Sequence, residues 1–155
     1  CLELKTTRDI GRQILRHRSF SFQEFSQRYA DPTKNFEFEY REARLQDEKN
    51  RQSSIEIDDK DLNATWIQHQ KNVAVAAEYA YKWAVSKGIA KEVARAVLPE
   101  GLTPTVMYMN GTIRSWIHYI DLRTGEETQK EHREIAKACA EAILKIFPLI
   151  NTFSH

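Results

Sequence analysis

Helices mixed with short strands, an α+β fold, are what this sequence predicts, and three observations lead there. Apolar residues recur at helical spacing in five stretches, and two short runs read as strands. Glycine and proline together supply only nine of 155 residues, a composition suited to regular structure. The length matches one domain of about 150 residues, so residues 1–155 are read as a single domain.

Along the chain, Ile10, Ile14 and Leu15 predict a helix from Thr6 to about His17, with Thr6 or Thr7 as its N-cap. Phe36, Phe38 and Tyr40 alternate with Glu37 and Glu39, the period of a half-buried strand. Charges crowd residues 41–61, where a solvated helical turn and loop, able to act as a lid, is expected. Trp66, Val73, Ala77, Ala80 and Ala84 mark a long helix ending near Gly88. A shorter helix spans about Ala90 to Val97 and must stop before Pro99. Thr105 to Met109 reads as a strand closed by Asn110-Gly111. Ile113, Trp116, Ile117 and Ile120 give a further helix that breaks at Thr124-Gly125. Ile135, Cys139, Ala142, Ile143 and Ile146 build the last, which Pro148 terminates.

Composition narrows the function classes. With 41% hydrophobic and 29% charged residues the chain fits neither disorder nor a membrane protein, and it has no apolar run long enough for a span. A net charge of +1 argues against a nucleic-acid coat. Two cysteines, Cys1 and Cys139, are too few for a disulfide framework or a four-cysteine zinc site, so a cytoplasmic protein without a bound metal is expected. Cys139 falls on an apolar helix face and reads as core. Because residue 1 is Cys and the only methionines are Met107 and Met109, a native segment is expected to precede this chain.

Chemistry concentrates in arginines. Arg8, Arg12 and Arg16 fall at i, i+4 and i+8, a like-charge stack that destabilises an isolated helix by about 0.2–0.5 kcal/mol per pair. Either an anionic ligand offsets this, or the face is solvated and paired with the acids of residues 37–48. His17, Arg18, Glu24, Ser26 and Arg28 follow at once, a set able to hold a phosphate and a polar ring.

The run Arg16-His17-Arg18, seven residues, then Ser26 resembles the signature of the flavin-dependent thymidylate synthases, and residues 13–29 resemble its extended form. Arg95 with Leu98-Pro99, the stretch Asn110 to Arg114, and Arg123 nine residues after Arg114 agree in order and spacing, so the resemblance covers nearly the whole chain. It implies helices around a small, mostly antiparallel sheet. It also implies reductive methylation of dUMP to dTMP, with methylenetetrahydrofolate as carbon donor and NADPH-reduced FAD as hydride donor, and no enzyme nucleophile. Carried over, Gln13, Arg16, Glu24, Ser26, Arg28, Arg95 and Arg123 match dUMP-binding positions, with Arg28 and Arg95 on the phosphate. Arg123 matches the catalytic arginine beside the pyrimidine. Arg16, His17, Arg18, Thr112, Arg114 and His118 match positions around FAD. The resemblance further implies a homotetramer with sites at subunit junctions. Gln23, Thr112, His118 and Glu127 depart from residues common in relatives.

No Gly-x-Gly-x-x-Gly run is present, so the flavin must be held by side chains. Trp66, Trp83 and Trp116 read as core or subunit interface, the wide apolar stripe from Val73 to Val85 as an oligomer contact, and His69 as surface; His132 carries no pattern. A competing reading is a small RNA-binding module, with the basic helix on the backbone and Phe20, Phe22 and Phe25 as stacking surfaces.

Overall fold

The computed structural model describes residues 1–26, 37–51 and 53–148. Its architecture is the expected α+β one, built on a three-stranded antiparallel sheet in the order β1 (Leu2–Thr7), β5 (Pro104–Asn110), β2 (Ser21–Glu24). The predicted strand at 105–109 is the central one. In register, Leu4 faces Met107 and Phe22 faces Met109, which sets an apolar face against the helices. Two of these strands were hidden by overlapping signals. Leu2 and Leu4 alternate with Glu3 and Lys5 as a strand requires, but the helical spacing that begins at Ile10 draws the boundary back to Thr6. Likewise, Phe20 and Phe22 alternate across a stretch read only for its polar groups.

Helix α1 covers Arg8–Ile14 and is shorter than predicted. Thr7 occupies its N-cap position, but the hydroxyl donates to Asp9 Oδ1 (2.6 Å) and accepts no helix N–H. Ending at Ile14, the helix leaves Arg16, His17 and Arg18 in a following turn. The long helix α2 runs Lys60–Ser86, capped by Asp59, which accepts from Leu62 N at 2.9 Å; Gly88, at φ 78°, closes it in the left-handed region open to glycine. A four-residue helix α3 (Lys91–Ala94) continues as a 3₁₀ turn through Val97. Helices α4 (Ile113–Arg123) and α5 (Lys130–Leu144) complete the chain.

The predicted strand at 36–40 is not one across residues 37–40, and Phe36 lies outside the described residues. Polar side chains of α2 take up the backbone of the adjoining segment instead. Gln70 accepts from Arg41 N (2.9 Å) and donates to Arg41 O (2.7 Å), and Asn63 accepts from Ala43 N (2.8 Å). In place of the helical turn expected between 41 and 61 stands a hairpin, β3 (Arg44–Gln46) against β4 (Ser54–Glu56).

Two apolar clusters form. The larger joins Leu4, Ile10, Ile14, Phe20, Met107, Met109, Trp116, Tyr119, Ala136, Cys139 and Ile143, bringing the sheet, α1, α4 and α5 together. The smaller joins Tyr81 and Ala84 of α2 to Ala94 and Leu98. Burial pushes the Cys139 thiol up to about 12, so it is a protonated core residue, as its helix face indicated. No helix among the described residues is long and apolar enough to cross a membrane.

Candidate active site

The turn after α1 and the whole length of α4 meet at both ends. At the C-terminal end, Arg123 Nε donates to His17 Nε2 at 3.0 Å. At the N-terminal end, the Ser115 hydroxyl donates to the Ser19 carbonyl at 3.4 Å. Because Nε2 of His17 accepts, its single proton sits on Nδ1 and the ring is neutral. Burial, with the nearby charges of Arg123 and His118, pushes this imidazole down to about 4. The ring also stands edge-on to Tyr119, centroids 4.9 Å apart. The Arg123 guanidinium is thereby aimed through its Nε while its terminal N–H groups stay available as a fork.

Facing outward from the same turn and helix are basic side chains without carboxylate partners among the described residues. Arg16 and Arg18 are exposed on the turn; Arg114 and His118 are exposed on α4 at i and i+4, away from the buried Trp116 and Tyr119. Arg114 and His118 are both exposed one turn apart on α4, and the Ser115–Ser19 bond brings the turn that carries Arg16 and Arg18 to the start of that helix. Thr112 is the N-cap of α4, accepting from Ser115 N at 3.2 Å.

The arginine stack is resolved differently from either sequence-level reading. Arg8 is held by Glu24 (3.2 Å) and Arg12 by Glu100, neither acid lying in residues 37–48, and Arg16 is past the end of the helix. Glu24 Oε1 also accepts from the Thr105 hydroxyl at 2.9 Å, so this carboxylate is fixed between α1 and β5. Ser26 follows β2 and is partly buried, while Arg28 lies outside the described residues. Arg95 sits apart, where α3 packs on α2, and its Nε donates to the Glu92 carbonyl at 3.2 Å. The RNA-binding alternative loses most of its stacking surface: Phe20 is buried edge-on against Trp116 at 4.9 Å, Phe22 is partly buried on the same core, and Phe25 is partly buried.

Sequence reasoning missed the polar layer beneath the site. Gln13 Nε2 donates to Gln129 Oε1 (2.8 Å), and Gln129 Nε2 donates to Glu131 Oε2 (2.9 Å). Glu131 pairs with Arg44 and stands 3.8 Å from Arg41 Nε, while Arg41 bonds Asp9 (2.8 Å). Fully buried His132 lies between Tyr119 OH (3.1 Å) and Gln13 Oε1 (3.3 Å). Its place at the i−4 position of Ala136 and i−7 of Cys139 marks it as core-facing, the one signal available beforehand. Burial, with the nearby charge of Arg123, pushes it too down to about 4.

These two neutral rings make stability depend on pH. Unfolded imidazoles protonate near about 6.5, the folded ones only near 4, so the unfolded chain binds more protons in between. Their contribution is complete above about pH 6.5 and is lost as pH falls toward 4. Depressed carboxyls act lower: burial alone would raise Asp9 and Glu131, but hydrogen bonds and nearby arginines hold both below the usual range. The thermal midpoint should therefore decline steadily from pH 7 to 4.5, with a flatter slope in a His17→Gln/His132→Gln variant; a wild-type midpoint constant over this window contradicts neutral rings.

The α+β core thus carries exposed basic side chains on the turn after α1 and on α4, with Arg123 bonded to His17 at that helix's end. The chain belongs to the thymidylate synthase complementing protein family, whose profile matches residues 1–149, that is, to the flavin-dependent thymidylate synthases. It is 51% identical over 149 residues to a probable flavin-dependent thymidylate synthase of Paramecium bursaria Chlorella virus 1, covering 96% of this chain and 68% of that protein. To the flavin-dependent thymidylate synthase of Synechocystis it is also 51% identical over 149 residues, covering 96% and 67%. In fold it is similar to a UMP/dUMP methylase of Streptomyces cacaoi solved with 5-Br UMP, with a TM-score of 0.79 at 24% identity, covering 92% of this chain and 66% of that one. The chain thus spans about two thirds of the length of these proteins.

Proposed function

We propose that this chain, acting as one domain, is the dUMP- and flavin-binding part of an enzyme that reductively methylates dUMP to dTMP. The observation that carries this reading is Arg123, held by a neutral His17 at 3.0 Å beside the arginine turn. A guanidinium fixed in this way suits a pyrimidine ring that gains electron density, and preorganised charge in a dry site contributes a few kcal/mol. Gln13, Arg16, Glu24 and Ser26, with Arg28, are assigned to the nucleotide. Arg16, His17, Arg18, Thr112, Arg114 and His118 are assigned to FAD. The donor set fits this cofactor: exposed guanidiniums without acidic partners among the described residues match a diphosphate. When bound, FAD supplies hydride, received from NADPH, while methylenetetrahydrofolate supplies the carbon. The chain's own groups bind, orient and polarise.

Arg95, on the smaller core, is assigned to the nucleotide phosphate of a neighbouring copy. Exposed apolar residues of α2 support such a homotetramer: Val75 is 66%, Tyr79 74% and Trp83 52% exposed. Trp83 belongs to that face, Trp66 lies on the opposite side of α2 near residues 41–46, and Trp116 is core. A cytoplasmic setting accords with small soluble substrates.

The test is anaerobic reduction of added FAD by NADPH, followed at the flavin absorption band with and without dUMP, on protein whose mass is measured by light scattering. Flavin binding by a tetramer, reduction altered by dUMP, and dTMP formed on adding the folate are expected. A colourless protein indifferent to dUMP, or equal affinity for dUMP and deoxyuridine, overturns the reading.

A further inference from the structure

The chain of hydrogen bonds beneath the site, partly buried at Glu131 and fully buried at Tyr119, has a direction, and it can be read from one end. Glu131 is an acceptor-only carboxylate, so Gln129 must turn its amide nitrogen toward it, at 2.9 Å. That leaves Gln129 Oε1 facing Gln13, which must answer with its own nitrogen at 2.8 Å. Gln13 Oε1 is then directed at His132 Nδ1, 3.3 Å away, and can only accept. His132 is neutral, so its one proton lies on Nδ1, and Nε2 accepts from the Tyr119 hydroxyl at 3.1 Å. Every amide orientation follows from the carboxylate, and each bond runs the same way, from Tyr119 to Glu131.

We propose that His132 and Tyr119 are positioning residues that lock the Gln13 amide, leaving it a single free N–H to offer the nucleotide. Its carbonyl oxygen points to His132 and one N–H to Gln129, so the group Gln13 has left to turn toward a ligand is its second N–H. The ligand atom it selects is therefore an acceptor, an oxygen of the phosphate, sugar or uracil ring. Without the His132 donor the carboxamide is held only through its nitrogen by Gln129, so its oxygen is left unpaired and the amide turns more readily to present that oxygen, which repels such an acceptor. Neither His132 nor Tyr119 needs to touch the ligand, since both are completely buried. This inference rests on the assignment of Gln13 to the nucleotide.

The experiment is a double-mutant cycle on dUMP affinity, measured by calorimetry on FAD-loaded protein, with thermal melting as the control for folding. His132→Leu removes the Nδ1 donor, whereas His132→Asn keeps an N–H close to its place. His132→Leu should weaken dUMP about tenfold, His132→Asn less than about threefold, and Tyr119→Phe to an intermediate degree, about the cost of one hydrogen bond or less. In a Gln13→Ala background, His132→Leu should add under about twofold. An equal loss in both backgrounds would mean that His132 acts through general structure and would overturn the proposal. If His132→Leu melts below the working temperature, the contrast between Tyr119→Phe and wild type, in the same two backgrounds, decides by the same rule. Unchanged dUMP affinity in Gln13→Ala overturns the placement of Gln13 on the nucleotide, a failure distinct from Gln13→Ala weakening dUMP while His132→Leu does not.

Discussion

Arg123→Ala is expected to lower the rate of dTMP formation by about a hundred- to a thousandfold, the usual cost of removing one preorganised charge donor from a reacting centre. The residue ends α4, and its Nε is committed to His17 Nε2 at 3.0 Å, so its remaining N–H groups point where His17 dictates. Lysine would preserve the charge but not the fork or the bond to His17, so Arg123→Lys should stay within about tenfold of the alanine variant. The effect should fall on turnover more than on folding, because Arg123 is only partly buried and lies outside the larger apolar cluster. Single-turnover oxidation of reduced flavin in the presence of dUMP and the folate measures this step directly. Retention of more than a tenth of wild-type turnover in Arg123→Ala would remove the residue from the reaction.

The second large effect is on stability. Glu131→Ala should cost about 3 kcal/mol, lowering the thermal midpoint by about 6–12 °C, since deleting one member of a largely buried ion pair strands its partners. Arg44 is 90% buried, pairs with Glu131, and has its Nη1 buried without a partner among the described residues. Arg41 lies 3.8 Å from the same carboxylate and ties it onward to Asp9. Glu131→Gln keeps an oxygen for Arg44 and a similar shape, so about half the loss is expected. Thermal melts at pH 7 with both variants check this, and a change below about 1 kcal/mol for Glu131→Ala would show that solvent already screens the pair. Because Glu131 anchors the hydrogen bonds leading to Gln13, the surviving folded protein should also bind dUMP less tightly.

Legibility varied by element for physical reasons. The long helix and its stop at Gly88 were plain in the sequence, because twenty-seven residues repeat one pattern and the glycine supplies a left-handed end. The central strand was equally plain. Strands β1 and β2 were missed because six and four residues carry little periodic signal beside a helix and a polar motif. The segment 37–43 could not have been classified from its own alternation, since Gln70 and Asn63, 29 and 20 residues from their partners, bond the backbone of Arg41 and Ala43.

The same division holds for the site. Taken alone, the sequence singled out the groups to which the family resemblance assigns the chemistry: the Arg16-His17-Arg18 run with Ser26, Arg114 with His118 one turn apart, and Arg123. It also determined that Cys139 is core. Only the tertiary structure decided what those groups are bonded to. Arg8 and Arg12 found Glu24 and Glu100, His17 turned inward to Arg123, and His132, marked only by its spacing from Ala136 and Cys139, became the buried link between Tyr119 and Gln13. Periodicity reports which face of an element is apolar, whereas a hydrogen bond between residues 106 or 119 positions apart depends on how separate elements dock, and no local pattern encodes that.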